Sequence, residues 1–581
     1  MTTAVKNKLT VIDFFSGAGG FSEGFRQQGF SVIKGIDFWE PAVKTHNLNH
    51  GLEDTVENVL DYFGSKSDDV ERIESLADTD VIVGSPSCVT FSMSNKGGKA
   101  DKTEGLRLIY AYLRVVAVKK HKKDSQLKAW LMENVPNSGN YVQKVYTFTD
   151  LNLKLWASNN GINPDSIALT LNGVVLNASD YGAPQNRKRF ICGESVRDGK
   201  FPLPSHVGHA KILLKDIKSK MPKPNLKKPT GKWQDPNYPS LVLSANEISD
   251  HFYDTGLYAL DWEQARNLKI THPFMGKMSF PEDDNRSSRT VTATRSVSSR
   301  EALIYKSEYR RNGHGEYRTP TVREAASLMG YPYTYQFFGS ESSKWKLIGN
   351  SVSPQVSSAL AKAILIKENV EPIELRMVDF SELKSNHHMV NNLNVYRPIA
   401  FDKIKQRREN AKFRRAVFKG QNMTVDLLNY HPDTKDYMWS VATFYGTGGR
   451  HEYDVLTKRQ FSTLMTILSS KFSLFDDFVA EIDDVLGEFS HNSSILQKAY
   501  EQDSLVSDPQ NPLLIIRDLK RLYIKYGQIQ PDLRISLSDM KRESFTLPQL
   551  LCLFSLGKMV YNETQRQISL DMNNLKVPAI N

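Results

Sequence analysis

Residues 9–15 (Leu-Thr-Val-Ile-Asp-Phe-Phe) form an apolar run of strand length. The run breaks into Ser16-Gly-Ala-Gly-Gly20, and a helical pattern follows near 20–28. The unit then repeats. Residues 31–36 read as a second strand closed by Asp37, followed by a helix over 40–49, a strand over 80–83, a helix over 105–118 and a strand over 129–132. A strand pair is predicted at 167–177 and 189–193. Strands that alternate with helices in this way predict an α/β, doubly wound sheet. From about 196 to 285 Lys, Pro, Asn and Asp accumulate and periodicity fades. Strand-like alternation resumes at Arg289-Thr-Val-Thr-Ala-Thr294, and helices over 321–329 and 355–366 close the body.

A chain of 581 residues is expected to hold about two to four domains. The pattern assigns 1–195 plus 289–370 to the doubly wound domain and 196–288 to an inserted region. The remainder, 371–581, forms a separate α+β unit. The entry to that unit is basic (Lys403, Lys405, Arg407, Arg408, Lys412, Arg414, Arg415, Lys419), which suggests added contact with a polyanion or a solvated linker helix. Lys and Arg number 75 against 65 Asp and Glu, a formal net charge of +10. That balance favours a polyanionic partner without identifying one. The three cysteines, Cys88, Cys192 and Cys552, show neither metal-ligand spacing nor a disulfide framework. No metal is expected. The N-terminus lacks the apolar core of a signal peptide, and no apolar run reaches spanning length. A cytoplasmic location is expected.

Chemistry-bearing residues gather where strands end. Gly17, Gly19 and Gly20 lie in a strand-to-helix turn whose amides can face a ligand. The block is no clean dinucleotide fingerprint, because Ser22 stands at the third glycine. Asp37 ends the second strand, where a carboxylate can accept from both ribose hydroxyls, and Phe38 beside it can stack on a base. Cys88 follows strand 80–83 in a turn of small residues, and Glu133 follows the apolar run Lys128-Ala-Trp-Leu-Met132. Gln185, Arg187 and Arg189 alternate on one face of a strand. Asn350 occupies a turn between Trp345-Lys-Leu-Ile348 and a helix. Taken singly, each has an ordinary reading: a glycine turn, a buried thiol, a surface carboxylate, a solvated charged edge, a turn asparagine.

Taken together and in order, the blocks resemble the DNA (cytosine-5) methyltransferase family over roughly residues 9–366. They are Phe14-Phe-Ser-Gly-Ala-Gly-Gly-Phe21, Gly84-Ser-Pro-Ser-Cys-Val-Thr-Phe-Ser92, Glu133-Asn-Val135, Gln185-Asn-Arg-Lys-Arg189 and Gly349-Asn-Ser-Val352. The segments 177–185 and 318–332 are also similar to family motifs. Two departures stand out. Ser87 precedes Cys88 where the family has proline, and Val89 replaces the following Gln or Asn. Serine leaves freer a turn that proline would stiffen.

The resemblance implies a Rossmann-like methyltransferase domain with 196–288 as target-recognition region. It implies S-adenosylmethionine held by Phe15, Gly17, Gly19, Gly20 and Phe21. Asp37 would take the ribose and Phe38 the adenine, Asn350 and Ser351 would close the site, and Asn58 is a candidate for the adenine edge with Asp61 as its rival. It implies Cys88 as nucleophile, Glu133 as acid, and Arg187 and Arg189 as groups that position both. The partner would be double-stranded DNA with the target cytosine flipped out, in a restriction–modification setting with a cognate restriction endonuclease; a monomer is favoured. Segment 93–105, glycine-rich and basic, would be a loop that closes over DNA. Methylation of tRNA, a catalytically inactive DNA-binding regulator and, remotely, a nicotinamide-dependent dehydrogenase remain as alternatives.

Overall fold

A computed structural model describes residues 8–64, 67–87, 91, 101–206, 208, 211–226, 229–257, 259–270, 277–297, 299–308, 315–373, 392–393, 412–420, 423–434, 438–446, 452–487, 497, 500–501, 512–530, 532–537, 540–542 and 544–561. The chain divides into two compact units, 1–399 and 400–581.

The first unit is organised by a six-stranded sheet. Its strands are β1 (Thr10–Phe14), β2 (Ser31–Ile36), β3 (Val81–Gly84), β4 (Ala129–Asn134), β5 (Asn172–Asn177) and β6 (Lys188–Ser195), in the order β2-β1-β3-β4-β6-β5. The first four run parallel, and β6 is antiparallel to both β4 and β5. Side chains alternate between two cores. Ile12, Phe14, Ile82, Trp130 and Met132 enter the core under helix α3 (Thr103–His121). Val11, Val81, Val83, Ala129 and Leu131 enter the core with Phe21, Phe25, Val356 and Leu360, supplied by the helices Gly20–Gln27 (α1) and Pro354–Lys367 (α6). Both faces are therefore covered, as a parallel sheet requires. Helices α2 (Glu40–His50), α4 (Val322–Met329) and α5 (Glu341–Asn350) complete the elements used below.

Register places the site. Phe14 pairs with Gly84, and Gly84 pairs with Met132. The segments that follow these residues, beginning at 15, 85 and 133, therefore emerge side by side at the carboxyl edge of the sheet, where such folds bind ligands.

Three local expectations change. The stretch 167–177 is two strands, because Ile167–Thr170 pairs with Val145–Thr147 in a separate small sheet while Asn172–Asn177 joins the main one. Residues 289–294 form no strand. Side chains satisfy their backbone instead: Gln185 accepts from the Val291 N–H, while the carbonyls of Val291 and Thr292 accept from Arg187 and Trp345. Asn350 is not in a turn; it is the exposed last residue of α5.

The second unit pairs Arg414–Gly420, Met423–Leu428, Ser440–Tyr445 and Glu452–Val455 as an antiparallel sheet in chain order. Helices Lys458–Lys471, Phe475–Leu486, Pro512–Gly527 and Leu547–Tyr561 share one apolar core with it. Residues 403–408 of the basic entry lie outside the described residues. Among the described residues no helix is long and apolar enough to cross a membrane.

Candidate active site

The glycine turn is strained and tightly backed. Phe15 adopts φ +55°, a left-handed conformation rare for a bulky residue and a hint of function at that point. Gly19 caps α1 with φ +82°, and a Cβ there would strike the Tyr335 hydroxyl and His50. A Cβ on Gly20 would collide with the Val352 carbonyl and the Ser351 hydroxyl. Only glycine lets α1 start this close to the chain that leaves α5. Phe21, by contrast, is a core residue, fully buried and edge-on to Phe25.

Beneath the turn, Asp13 accepts from the Ser22 N–H (3.2 Å) and hydroxyl (2.7 Å), and the Ser22 Oγ also lies 2.8 Å from His46 Nε2. Burial pushes the Asp13 carboxyl up to about 8, the Ser22 bonds opposing and Asp37 adding. Asp37 faces the turn: its carboxylate accepts from the N–H groups of Gly17 (2.9 Å) and Trp39 (2.9 Å). Burial raises its pKa against those bonds. A carboxylate offers about four acceptor sites, so this acceptor suits the hydroxyl donors of a ribose diol. Phe38 is 69% exposed, leaving its ring free for stacking. Asn58 is exposed at a 3-10 turn, its Oδ1 accepting from the Leu60 N–H at 3.0 Å. The rival Asp61 lies 3.6 Å from Arg72.

Glu133 is 5% exposed at the end of β4, and its carboxylate pairs with the Arg189 Nε at 2.9 Å. Burial raises its pKa, while Arg189 and then Arg187 pull it down. The two arginines differ sharply. Arg189 is partly exposed and faces the acid. Arg187 is 2% exposed and donates to three backbone carbonyls: Val291 (3.1 Å), Gly349 (3.0 Å) and Ser351 (2.7 Å). It clamps the chain around Ser351, whose hydroxyl bonds inward to Tyr331 and the Val352 carbonyl. Gln185 is likewise buried, donating to the Leu328 carbonyl. The solvated charged edge is thus excluded for both residues. A small crevice is lined by Glu133, Arg187, Arg189, Leu176, Ile191 and Val352 among others.

Cys88 lies outside the described residues, as do Val89 and 92–100. The chain on either side is described and held at several points. Ser85 donates from its N–H to the Phe14 carbonyl and from its hydroxyl to the Phe15 carbonyl, each at 3.1 Å, joining this turn to the glycine turn. Asn134 Nδ2 donates to the Pro86 carbonyl (3.0 Å) and Asn137 Nδ2 to the Phe91 carbonyl (3.1 Å). The Phe91 ring lies 5.7 Å from that of Tyr141, over which the Lys102 ammonium sits at 5.6 Å. Ser85, Asn137 and Tyr141 escaped the sequence reading; only the adjacency of Asn137 to the Glu-Asn-Val block marked it. Cys192 and Cys552 are buried, their thiols raised by burial, as expected of small core residues. Among the described residues no cluster of three or more His, Cys, Asp or Glu could hold a metal ion.

The glycine turn with its facing carboxylate and the buried Glu133–Arg189 pair thus both lie at the carboxyl edge of one doubly wound sheet. The chain belongs to the C-5 cytosine-specific DNA methylase family, whose model matches residues 9–366. It is an S-adenosylmethionine-dependent DNA (cytosine-5) methyltransferase with a doubly wound α/β catalytic domain. Among its relatives, the type II methyltransferase M.MthTI of Methanothermobacter thermautotrophicus is 26% identical over 386 residues, covering 63% of this chain and 99% of that protein. The type II methyltransferase M1.HphI of Haemophilus parahaemolyticus is 28% identical over 369 residues, covering 61% and 87%. The solved Dnmt2 methyltransferase of S. pombe shares 18% identity with a TM-score of 0.40, covering 62% of this chain and 100% of that one.

Proposed function

We propose that this enzyme methylates cytosine within a short specific sequence of double-stranded DNA through a covalent adduct on Cys88. The observation that carries the reading is the buried Glu133–Arg189 pair, joined through Asn134 and Asn137 to the chain on both sides of Cys88. Cytosine carbon 5 is too weak a nucleophile to take a methyl group unaided. The Cys88 thiolate adds to carbon 6, forming a sulfur–carbon bond and shifting the electron pair towards ring nitrogen 3. Glu133, whose pKa burial raises, gives its proton to nitrogen 3 and leaves carbon 5 enamine-like. Arg189 orients Glu133, and Arg187 holds the backbone behind it. When bound, S-adenosylmethionine supplies an electrophilic methyl group. Phe15, Gly17, Gly19, Gly20, Asp37 and Phe38 would hold it, with Asn350 and Ser351 at its margin, Asn58 near the adenine edge and Phe21 supporting from the core. The carbon 5 proton then leaves to water or a nearby base, Glu133 recovers its proton, and the Cys88 bond breaks to return the thiolate. No metal takes part.

The target base must leave the duplex to reach these groups. Region 196–288 supplies the sequence reading, with lysines on phosphates and a few side chains on base edges. The type II relatives support a restriction–modification role; a cognate endonuclease, a cytoplasmic location and a monomeric protein complete the reading. The test is to express wild type and Cys88→Ala in a methylation-free bacterium and bisulfite-sequence the host DNA. Protected cytosines in one short context, absent with the variant, are expected. Unprotected DNA from soluble, cofactor-binding wild type would overturn the reading.

A further inference from the structure

Asp250 lies in the 196–288 region, fully buried, in the left-handed conformation at φ +59°. Three other parts of the unit meet on it. Its carboxylate accepts from the equally buried Lys344 ammonium of α5 at 2.7 and 2.9 Å. Its carbonyl accepts from the Arg323 N–H of α4 at 3.1 Å, and the Arg323 side chain also donates to Ser249. The third part comes from beyond residue 366, where the family match ends. The Leu393 N–H donates to Asp250 Oδ1 at 3.0 Å, and Asn392 Oδ1 accepts from the Asp250 N–H at 2.9 Å. The Leu393 side chain packs on the core that holds Leu214, Ile217, Tyr238 and Trp345. The bonds are reciprocal: one residue pair takes the N–H of Asp250 and gives an N–H to its carboxylate.

We propose that Asn392 and Leu393 are positioning residues for target recognition. Through Asp250 and Lys344 these two residues tie the 196–288 region to α5, the helix whose far end carries the backbone clamped by Arg187. The proposal rests on the reading of 196–288 as the recognition region. The two docked residues add polar contacts to a buried ion pair, where a lost partner is felt most. Their hydrogen bonds to Asp250 lie within the recognition region, so the proposal places their effect on DNA.

The test uses full-length protein with Asn392→Ala, which removes the acceptor, and separately Leu393→Pro, which removes the donor. Methyl transfer to duplex DNA is measured together with S-adenosylmethionine affinity and amide hydrogen exchange over 245–257. Each variant is expected to raise KM for DNA about ten-fold, the equivalent of about 1.4 kcal/mol. The kcat and cofactor Kd should stay within about two-fold, as for a loss confined to DNA binding. Faster exchange over 245–257 with an unchanged KM would overturn the proposal. So would a parallel loss of KM, kcat, cofactor affinity and overall stability, because the contact would then be merely structural. The underlying reading is checked separately on wild type: DNA binding should slow exchange within 211–257, and its failure to do so would remove the recognition assignment itself.

Discussion

Arg187 and Arg189 lie two residues apart and suggest one shared role, yet their contacts predict opposite phenotypes. Arg187→Ala leaves the carbonyls of Val291, Gly349 and Ser351 without the guanidinium that now serves them. Bonds from a charged donor contribute about 1.5–3 kcal/mol each, and they do not add fully. Three such bonds, discounted for partial additivity, amount to about 3–5 kcal/mol, a large share of a total stability of about 5–15 kcal/mol. The expected outcome is a fall of that size in the first unit's unfolding free energy in urea. A loss of S-adenosylmethionine binding should accompany it, because the Ser351 segment that backs Gly20 is released. Both are measurable without DNA, by denaturation and by equilibrium binding. If Arg187→Ala kept its stability within about 1 kcal/mol, the spread of an ordinary surface change, and bound cofactor normally while kcat collapsed, the clamp argument would be refuted. Arg187 would then act on the substrate.

Arg189→Ala should spare stability and cofactor binding but remove the chief group that opposes burial at Glu133; the Glu133 pKa rises further, and the alkaline limb of kcat against pH moves up. An unmoved limb would assign that limb to another group. Asp13 is predicted to weaken the fold as pH rises. Its folded pKa of about 8 exceeds the unfolded value of about 3.9, so its contribution is full below the lower value and lost as pH climbs through the upper. Asp13→Asn should therefore flatten the decline in stability between about pH 5 and pH 8, and an equally steep decline in the variant would contradict the buried-acid argument. Asn137→Ala removes one neutral hydrogen bond to the Phe91 carbonyl, worth about 1 kcal/mol. Covalent trapping on 5-fluorocytosine DNA should slow by about five-fold with cofactor affinity unchanged; an unaltered trapping rate would exclude Asn137 from positioning the nucleophile's turn.

What was legible in the sequence followed from periodicity and strand ends. The runs 9–15, 80–83 and 129–132 alternate their side chains between two buried layers, and that double burial is what makes them mostly apolar, whereas the edge run 31–36 is only partly buried and carries Lys34. Asp37 and Glu133 could be placed because each ends such a run. Residues whose backbone is satisfied by side chains were illegible. The alternation at 289–294 has the composition of a strand, but Gln185, Arg187 and Trp345 take the bonds a neighbouring strand would have taken. Local pattern does not report a partner one hundred residues away. The same distance hid the Asp250 node, since nothing near Asn392 or Leu393 marks them as partners of a buried ion pair.

The departure at Ser87 takes its meaning from these long-range contacts. Proline before the nucleophile would restrict one φ angle, whereas serine leaves the turn to be held from outside. The holding groups follow directly on the acid: Glu133 ends β4, Asn134 takes the Pro86 carbonyl, and Asn137 takes the Phe91 carbonyl. Ser85 ties the start of the same turn to the carbonyls of Phe14 and Phe15, at the mouth of the glycine turn. Acid, nucleophile segment and cofactor turn therefore share one support, the carboxyl edge of three adjacent parallel strands whose register is fixed at Phe14, Gly84 and Met132. We infer that a turn anchored at Ser85, Pro86 and Phe91 to that edge needs less stiffness of its own at Ser87, where its family places proline.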